Sequence, residues 1–170
     1  MRRKKLPVSF YRRDVLVVAP DLLGKYLVRR YPTGEVIRYR ITDVEAYRGE
    51  EDLACHASKG RTPRTETLYS DGGRVYVYLI YGLHWLLNIV TGKAGHPQGV
   101  MIRGVEGIDG PGRVGKALAL DKSLLGEPIT GKNIWVEDSG EKPAYRTAPR
   151  IGIDYAGEWK FIEWRFLIDE

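Results

Sequence analysis

The sequence predicts a single α+β domain, built on a curved antiparallel β-sheet with a protruding β-hairpin and a few surrounding helices. Segments rich in Val, Ile, Leu and aromatic residues dominate the chain, which indicates strands. The links between these segments are mostly too short for the helical crossovers that a parallel sheet needs. The length of 170 residues fits one domain with one core.

In the first half of the chain, the pattern predicts a hairpin with strands at residues 25–31 and 35–47 around a Pro-Thr-Gly turn. Before it, residues 20–24 are expected to form a short helical turn, because this segment starts with proline and ends with glycine. After it, residues 50–57 are expected to form a helical turn, and residues 58–67, which are polar and basic, a loop.

In the second half, residues 74–81 and 85–91 flank a short tip and predict a second hairpin. Residues 99–106 are expected to form a further strand. Residues 111–120 begin with proline and continue with good helix formers, which predicts a helix. Late strands are expected at residues 134–137, 150–153 and 165–168.

The chain is basic, with a formal net charge of +5 and a pI of about 9.3, which favours a polyanionic partner. Part of this charge lies in a predicted N-terminal tail, residues 1–9, ahead of the domain at residues 10–170, and a merely solvated end is the alternative. The single cysteine, Cys55, excludes an internal disulfide. No apolar run suits a membrane span or a signal peptide, so we expect a cytoplasmic protein without a membrane partner.

Two patterns suggest chemistry that the residue types do not support. Residues 110–116 fit the first positions of a phosphate-binding loop, but Ala117 stands where magnesium coordination needs a hydroxyl, and Pro111 removes a backbone donor. The histidines and Cys55 have no metal-ligand spacing. We therefore expect neither a metal nor a soluble cofactor.

One candidate for chemistry lies on the first hairpin. Asp43, Glu45 and Tyr47 share one face of the predicted strand, so two carboxylates and a phenol point the same way. From this segment alone, an exposed polar strand face is the favoured interpretation.

The second hairpin favours a functional site over an exposed polar strand face. Tyr76, Tyr78 and Tyr81 crowd one strand, and Asn88 lies within an apolar run, where a buried amide needs partners. Tyrosines and a buried amide suit a slot of purine size, with faces for stacking and edges for hydrogen bonds. The alternative is an aromatic core with one satisfied asparagine.

A series of short motifs follows along the chain: Val-Glu45-Ala-Tyr47, His56, Arg61-Thr-Pro-Arg64, Val-Tyr78-Leu-Ile-Tyr81-Gly82, Asn88-Ile, Met101-Ile-Arg103-Gly, Gly110-Pro-Gly-Arg113, Lys116-Ala-Leu and Pro149-Arg-Ile-Gly-Ile-Asp. In this order and spacing they resemble the alkyladenine (3-methyladenine) DNA glycosylase family, from about Phe10 to Ile168. Each motif is weak alone, and their joint order is specific. Relatives often carry a longer basic segment where this chain has only residues 104–109.

The resemblance implies a catalytic role for three residues. Glu45 matches the general base that activates a water molecule, and Arg103 and the main-chain carbonyl of Ile151 match groups that help to hold this water. The implied residues of the base pocket are Tyr47, His56 and Tyr78, for its walls and reading edge, and Asn88, which crowds the amino group of normal guanine.

The resemblance also implies a duplex partner that contains a damaged purine: 3-methyladenine, 7-methylguanine, hypoxanthine or ethenoadenine. Tyr81 matches the wedge that replaces the flipped nucleotide, and Leu83 lies beside it at the minor groove. The implied enzyme is a monofunctional base-excision-repair glycosylase, a monomer that acts at the nucleoid without a cofactor. The implied contacts to the DNA backbone are Arg61, Thr62, Arg64 and Arg113.

Three other interpretations remain open. A non-catalytic lesion sensor of the same fold would keep the tyrosines and lose the base, and the presence of Glu45 and Arg103 argues against it. An RNA-binding module is the second, because the family's fold resembles the C-terminal domain of methionyl-tRNA formyltransferase. A structural basic β-protein is the third, and the order of the motifs disfavours it.

Overall fold

The computed structural model describes residues 3–169 of the chain. Of the basic tail expected at residues 1–9, the first two residues lie outside the described residues, as does the last residue of the expected domain. The rest of the tail lies against the domain, because Lys5 forms an isolated β-bridge with Glu137 and Leu6 is buried.

Strands form most of the ordered structure in the described residues, and short helices surround them. The α-helices are α1 (Val8–Tyr11), α2 (Val15–Leu22) and α3 (Pro111–Ala117), and 3₁₀ helices span His56–Lys59, Glu66–Tyr69, Lys122–Leu124 and Asp154–Phe161. The strands are β1 (Tyr26–Arg30), β2 (Val36–Arg48), β3 (Val75–Ile80), β4 (His84–Val90), β5 (Gln98–Val105), β6 (Ile108–Asp109), β7 (Ile134–Glu137), β8 (Tyr145–Ala148) and β9 (Arg165–Ile168).

All the strand pairs are antiparallel, and the main path through the sheet is β3-β4-β5-β2-β1-β7. The long strand β2 pairs with β1 through its first part and with β5 and β9 through its second. Its register against β5 shifts between Ile41 and Val44, and such bulges bend a strand. The sheet curls into a half-barrel, which confirms the predicted α+β domain with a curved antiparallel sheet.

Alternation along the strands sends every second side chain into one core. Val44 on β2, Leu87 on β4 and Ile102 on β5 join a buried apolar cluster with Leu22 of α2. Burial of a side chain of this size is worth roughly 1.5–3 kcal/mol. The residues between them on the same strands point to the opposite face of the sheet, and this face carries the candidate site.

Most of the predicted strands are confirmed. The two hairpins form as β1–β2 and β3–β4, and the tip of the second protrudes into solvent. The strand expected at residues 99–106 is β5, and those expected at residues 134–137 and 165–168 are β7 and β9.

The strand expected at residues 150–153 is wrong, because the partner of β9 is β8, which lies earlier in the chain. Pro149, which has no N–H to donate, follows β8 directly. The next residues leave the sheet because the side chain of Arg150 and the N–H of Ile151 bind buried carboxylates instead.

The helical turn expected at residues 20–24 is the end of a longer helix, α2, which begins at Val15. Asp14 caps this helix, since its side chain accepts the N–H of Leu16 at 2.9 Å. Its valine-rich sequence is not typical of a helix, because β-branched residues favour strands. Pro20 lies in its last turn rather than near its start.

Two further predictions are corrected at their boundaries. The helical turn expected at residues 50–57 forms later, as the 3₁₀ helix His56–Lys59, and the loop expected at residues 58–67 holds the start of the next one, Glu66–Tyr69. The helix expected at residues 111–120 is α3, which ends sooner.

Within the described part of the chain, no helix has the length and apolarity to cross a membrane.

The glycine-rich segment 110–116 has a packing role. A Cβ on Gly115 would collide with the carbonyl oxygen of Trp85, and one on Gly112 would lie 3.3 Å from the ring of His84. The glycines therefore let α3 approach β4 closely. A pattern that resembled a phosphate-binding loop is explained by contact between a helix and a strand.

Candidate active site

A cavity of about 610 Å³ opens on the face of the sheet opposite the core, and we call it the aromatic cavity. On β5, Val100 and Ile102 pack into the core, while Met101 and Arg103 line the aromatic cavity. Cavities of this size accommodate small molecules and bases. The other sheet residues that line it include Tyr47, Tyr76, Tyr78 and Asn88.

Pairing across four strands aligns a row of side chains under the aromatic cavity. Glu45 on β2 is opposite Met101 on β5, Met101 is opposite Asn88 on β4, and Asn88 is opposite Tyr76 on β3. Directly paired residues of antiparallel strands share one face. Residues that are far apart in the sequence are therefore brought together by register alone.

Glu45 is fully buried and is not itself among the residues that line the aromatic cavity, but three residues that do line it contact its carboxylate. Its Oε1 accepts the hydroxyl of Tyr47 at 2.8 Å, and its Oε2 accepts the backbone N–H of Ile151 at 2.8 Å. The guanidinium of Arg103 lies 3.7 Å from Oε2. The arrangement brings together all three residues predicted as catalytic, and Ile151 uses its N–H to hold the carboxylate.

Burial raises the pKa of Glu45 above its usual value of 4.5, because a charged carboxylate is costly away from water. The N–H of Ile151, the charge of Arg103 and the hydroxyl of Tyr47 oppose this rise, in that order. A carboxylate with a raised pKa is a better proton acceptor at neutral pH than an exposed one, provided that it stays ionised.

Asp43, the second carboxylate on this face of β2, has a different environment. It forms a two-pronged ion pair with Arg165 of β9, at 2.7 and 3.1 Å. Both of its oxygens are therefore engaged by one guanidinium, a geometry that favours a fixed pair.

Three aromatic side chains form the walls of the aromatic cavity. The rings of His56 and Tyr78 lie 4.2 Å apart at 63°, and those of Tyr76 and Tyr78 lie 5.7 Å apart. Nδ1 of His56 lies 3.1 Å from the hydroxyl of Tyr76. Burial, helped by the nearby charge of Arg64, lowers the pKa of His56 to about 4, so the imidazole is neutral at physiological pH.

The floor of the aromatic cavity has an unsatisfied polar group. Asn88 is only 5% exposed, and its amide nitrogen makes no hydrogen bond of normal geometry to any described residue. Its side chain is near enough to the hydroxyl of Tyr78 to oppose the rise in the pKa of that phenol that burial causes, so its contact with Tyr78 is a weak one. The hydroxyl of Tyr78 lies 3.7 Å from the sulfur of Met101. Because a buried donor without a partner is costly, the Asn88 amide is placed to bind something that enters the cavity.

The hairpin tip, residues 81–83, projects apolar side chains into solvent. Tyr81 is 93% exposed and Leu83 is 72% exposed. The φ angle of Tyr81 is +53° and that of Gly82 is +62°, so the chain reverses through two consecutive left-handed residues. A bulky residue at positive φ is strained, and such strain is found at functional positions.

The residues predicted to contact the DNA backbone differ in how far their side chains are already bound to other groups of the protein. Arg61 is paired with Glu66 at 2.6 Å and lies over the ring of Tyr69. The hydroxyl of Thr62 lies 3.2 Å from that of Thr65, within the same loop.

The two other predicted backbone contacts are less engaged. Arg64 is exposed at the edge of the aromatic cavity and forms no ion pair within the described part of the chain. Arg113 is exposed on α3 and borders a separate cleft of about 560 Å³.

Sequence reasoning missed several residues of the site. Met101 was noted only within a motif, and Tyr155 gave no signal because it lies in an irregular segment, yet both line the aromatic cavity. Cys55 lines it too, and burial raises the pKa of its thiol to about 12, so the thiol stays protonated. No group of three or more His, Cys, Asp or Glu side chains among residues 3–169 is arranged to hold a metal ion.

Aromatic walls, a buried amide and a buried carboxylate next to one cavity are features typical of an enzyme site that suits a flat, polar ring. A family model described as methylpurine-DNA glycosylase matches residues 9–110 and 107–170. The chain belongs to this family.

Relatives agree along nearly the whole chain. The chain is 43% identical to a protein of Psychrobacter cryohalolentis, over 92% of this chain and 87% of that one. It is 41% identical to one of Desulfitobacterium hafniense, over 98% and 96%, and 42% identical to one of Methanocella arvoryzae, over 95% and 90%. All three carry the provisional name 3-methyladenine DNA glycosylase.

The protein is therefore a DNA glycosylase, an enzyme of DNA repair whose substrate is damaged DNA. Hydrolase activity, DNA binding and a place in base excision repair follow from this membership.

Proposed function

We propose that the protein releases damaged purines of the class 3-methyladenine, 7-methylguanine, hypoxanthine and ethenoadenine, using a water molecule activated by Glu45. The observation that carries this proposal is the buried carboxylate of Glu45, which is hydrogen-bonded to Tyr47 and Ile151, two residues that line the aromatic cavity. The enzyme would act as a monomer on chromosomal DNA at the nucleoid.

The damaged nucleotide must first leave the duplex, because its glycosidic carbon cannot be reached within the base stack. Extrusion costs a few kcal/mol, and a side chain inserted into the gap offsets the lost stacking. Tyr81 is the proposed wedge, with Leu83 beside it, since both project from the hairpin tip. The backbone contacts proposed for Arg61, Thr62, Arg64 and Arg113 would hold the duplex in register.

In the aromatic cavity, Tyr47, Tyr78 and His56 would stack on the base and read its edge. A positively charged alkylated purine gains from the π-faces of tyrosines. The unpaired amide of Asn88 lies at the floor, where it would donate to a lesion and crowd the amino group of normal guanine.

In the chemical step, the bond between base and sugar breaks, the base leaves with the bonding electrons, and the water oxygen bonds to the sugar carbon. Glu45 takes a proton from this water and offers negative charge to the oxocarbenium-like sugar. Arg103 and the carbonyl of Ile151 would hold the water. None of the described residues that line the aromatic cavity is a lysine, which favours a water mechanism over a Schiff base.

Duplex oligonucleotides that each carry one lesion test the proposal. Glu45→Gln should keep lesion binding and lose base release by at least about 10²–10⁴-fold, because Gln can neither accept the proton nor stabilise the sugar. Glu51→Gln, the same change at an exposed site, should retain the wild-type rate.

Four results would overturn the proposal. Release of ethenoadenine by Glu45→Gln at nearly the wild-type rate would remove Glu45 from the mechanism. Lesion binding without any release, or preference for intact tRNA, would indicate a lesion sensor or an RNA-binding module instead. A borohydride-trapped covalent adduct would contradict the monofunctional mechanism.

A further inference from the structure

Arg150 and Asp52 form a buried ion pair next to Tyr47, one of the residues that line the aromatic cavity. Both side chains are fully buried, and two hydrogen bonds join them, at 2.7 and 3.0 Å. Asp52 also accepts the backbone N–H groups of Arg48 and Ala54, each at 3.0 Å. The carboxylate is thereby fixed, and it fixes the guanidinium in turn.

The guanidinium of Arg150 lies over two aromatic rings. Its central carbon lies 4.9 Å from the ring centre of Tyr47 and 5.1 Å from that of Trp164. It also donates to the carbonyl of Ala46 at 3.0 Å. Arg150 therefore contacts the strand segment that carries both Glu45 and Tyr47.

The next residue connects Arg150 to the carboxylate of Glu45. Ile151 donates its N–H to Glu45, so the side chain of Arg150 anchors the peptide that makes this bond. The hydroxyl of Tyr47 donates to the other carboxylate oxygen. Both hydrogen bonds to Glu45 thus come from groups that Arg150 holds in place.

Stability gives a poor explanation of this arrangement. Removing two charges from water costs several kcal/mol per ion, and apolar replacements of buried pairs are often neutral or stabilising. Nε of Arg150 is buried without a hydrogen-bond partner among the described residues, which adds a further cost. A group that is costly to bury and that holds a catalytic neighbourhood is better explained by its positioning effect.

We propose that Arg150 is a positioning residue, which holds the ring of Tyr47 and the N–H of Ile151 in place against the carboxylate of Glu45. The inference rests on the proposed role of Glu45. A lysine would keep the charge beside Asp52 but would lose the planar stack and the paired hydrogen bonds. Tyr47 and Ile151 would then loosen, and Glu45 would lose part of what keeps it ionised.

The test compares Arg150→Lys with Arg29→Lys. Arg29 is a matched control, because it is also buried, donates to the carbonyl of Leu118 at 2.7 Å and lies 5.3 Å from the ring centre of Tyr31, away from the aromatic cavity. The pKa of Glu45 is followed by ¹³C NMR of its carboxyl carbon, and ethenoadenine release by single-turnover kinetics.

Arg150→Lys should raise the pKa of Glu45, move the acid limb of the rate profile upward and slow release by roughly 10²-fold. Arg29→Lys should leave the pKa of Glu45 and the rate profile unchanged, even where it lowers thermal stability. The groups that face Glu45 and stay unaltered in both variants are Arg103, Asp43, Arg165, Tyr47, Tyr78 and Tyr155.

A second variant keeps the inference testable if Arg150→Lys fails to fold. Trp164→Leu removes one of the two rings that contact the guanidinium of Arg150, and it should shift the pKa of Glu45 and the rate in the same direction by a smaller amount. A wild-type pKa of Glu45 and wild-type release in the folded variant would overturn the positioning role. The NMR titration needs no catalysis, so this result is distinguishable from failure of the proposed function, which the Glu45→Gln rate tests.

Discussion

Two carboxylates on the same face of β2 have environments that separate their roles. Glu45 is held by a hydroxyl and a backbone N–H, whereas Asp43 is neutralised by a guanidinium on both oxygens. The alternation of the strand brings both to one face, and only the tertiary partners distinguish a candidate base from a structural ion pair.

Asp43→Asn should therefore change stability more than chemistry. It leaves Arg165 largely buried without its charge partner, and we expect a loss of about 3 kcal/mol in the free energy of unfolding. Base release per folded molecule should stay within about tenfold of wild type. Urea unfolding and single-turnover release measure the two effects, and a loss of release as large as that of Glu45→Gln would assign the base to Asp43.

His56 should make stability depend on pH. The pKa of His56 in the folded protein, about 4, lies below the ordinary histidine value of 6.5, so the unfolded chain binds the proton more readily. The contribution of His56 to the free energy of unfolding is therefore complete above the pKa of the unfolded chain. It is lost as the pH falls through the pKa of the folded protein.

As the pH is lowered, the free energy of unfolding of His56→Gln should fall less than that of the wild-type protein. The difference should reach up to roughly 3 kcal/mol, since one pKa unit is worth about 1.36 kcal/mol. Urea unfolding across the range from pH 7 to about pH 4 measures the effect. His84→Gln, the same change at an exposed histidine, is the control. An unchanged pH dependence in His56→Gln would show that the imidazole is not desolvated.

At the scale of single elements, the β3–β4 hairpin combines two regularly paired strands with a strained tip. Strand pairing runs from Val75–Ile89 to Ile80–His84, so the tip has a fixed direction. The tip itself holds Tyr81 in a left-handed conformation, which costs of order 1–3 kcal/mol. Tyr81 therefore destabilises its own turn while it is almost fully exposed. We expect its benefit to lie in DNA binding and not in folding.

Tyr81→Gly should separate these two contributions. Glycine adopts positive φ freely, so thermal stability should stay the same or rise, while affinity for lesion DNA falls by roughly 1–3 kcal/mol with the stacking ring removed. Thermal unfolding and the fluorescence of ethenoadenine measure the two effects. Phe161→Ala, which removes another exposed aromatic ring, is the control, and equal losses of affinity in both variants would contradict the wedge.

At the scale of the whole molecule, the basic charge is unevenly available. Arg61 is already paired with Glu66, whereas Arg64 forms no ion pair within residues 3–169. Exposed ion pairs are worth at most about 1 kcal/mol, so DNA can compete for Arg61 at low cost. Net charge therefore overstates the number of cations that are free for DNA.

Salt titrations of DNA binding should reveal this difference. Arg64→Ala should reduce the slope of log K against log salt concentration by about one and leave lesion preference unchanged. Glu66→Gln should strengthen binding at low salt, because it frees Arg61 and removes a negative charge. Fluorescence anisotropy measures both, and a flat salt response in the wild-type protein would show that DNA binding does not use this charge.

The outline of the site could be predicted because its residues alternate along strands. A period of two residues places Glu45 and Tyr47 on one face of their strand, and Tyr76 and Tyr78 on one face of theirs, and the sequence shows that period directly. It does not show that Glu45 and Asn88 both pair with Met101, since register across strands depends on bulges and turns. The mistaken strand at residues 150–153 has another origin, because Arg150 and Ile151 leave the sheet to bind carboxylates about 100 positions earlier in the chain.

By itself, the sequence determined the fold class, the two hairpins, the family and the faces that carry the candidate residues, because these depend on local pattern and on motif order. The three-dimensional packing is what distinguishes the two carboxylates, because it bonds Glu45 to Ile151 and places the buried guanidinium of Arg150 over the ring of Tyr47. It also decided that Arg61 is paired while Arg64 is not. These outcomes depend on distances and desolvation between residues up to 106 positions apart, which no local pattern encodes.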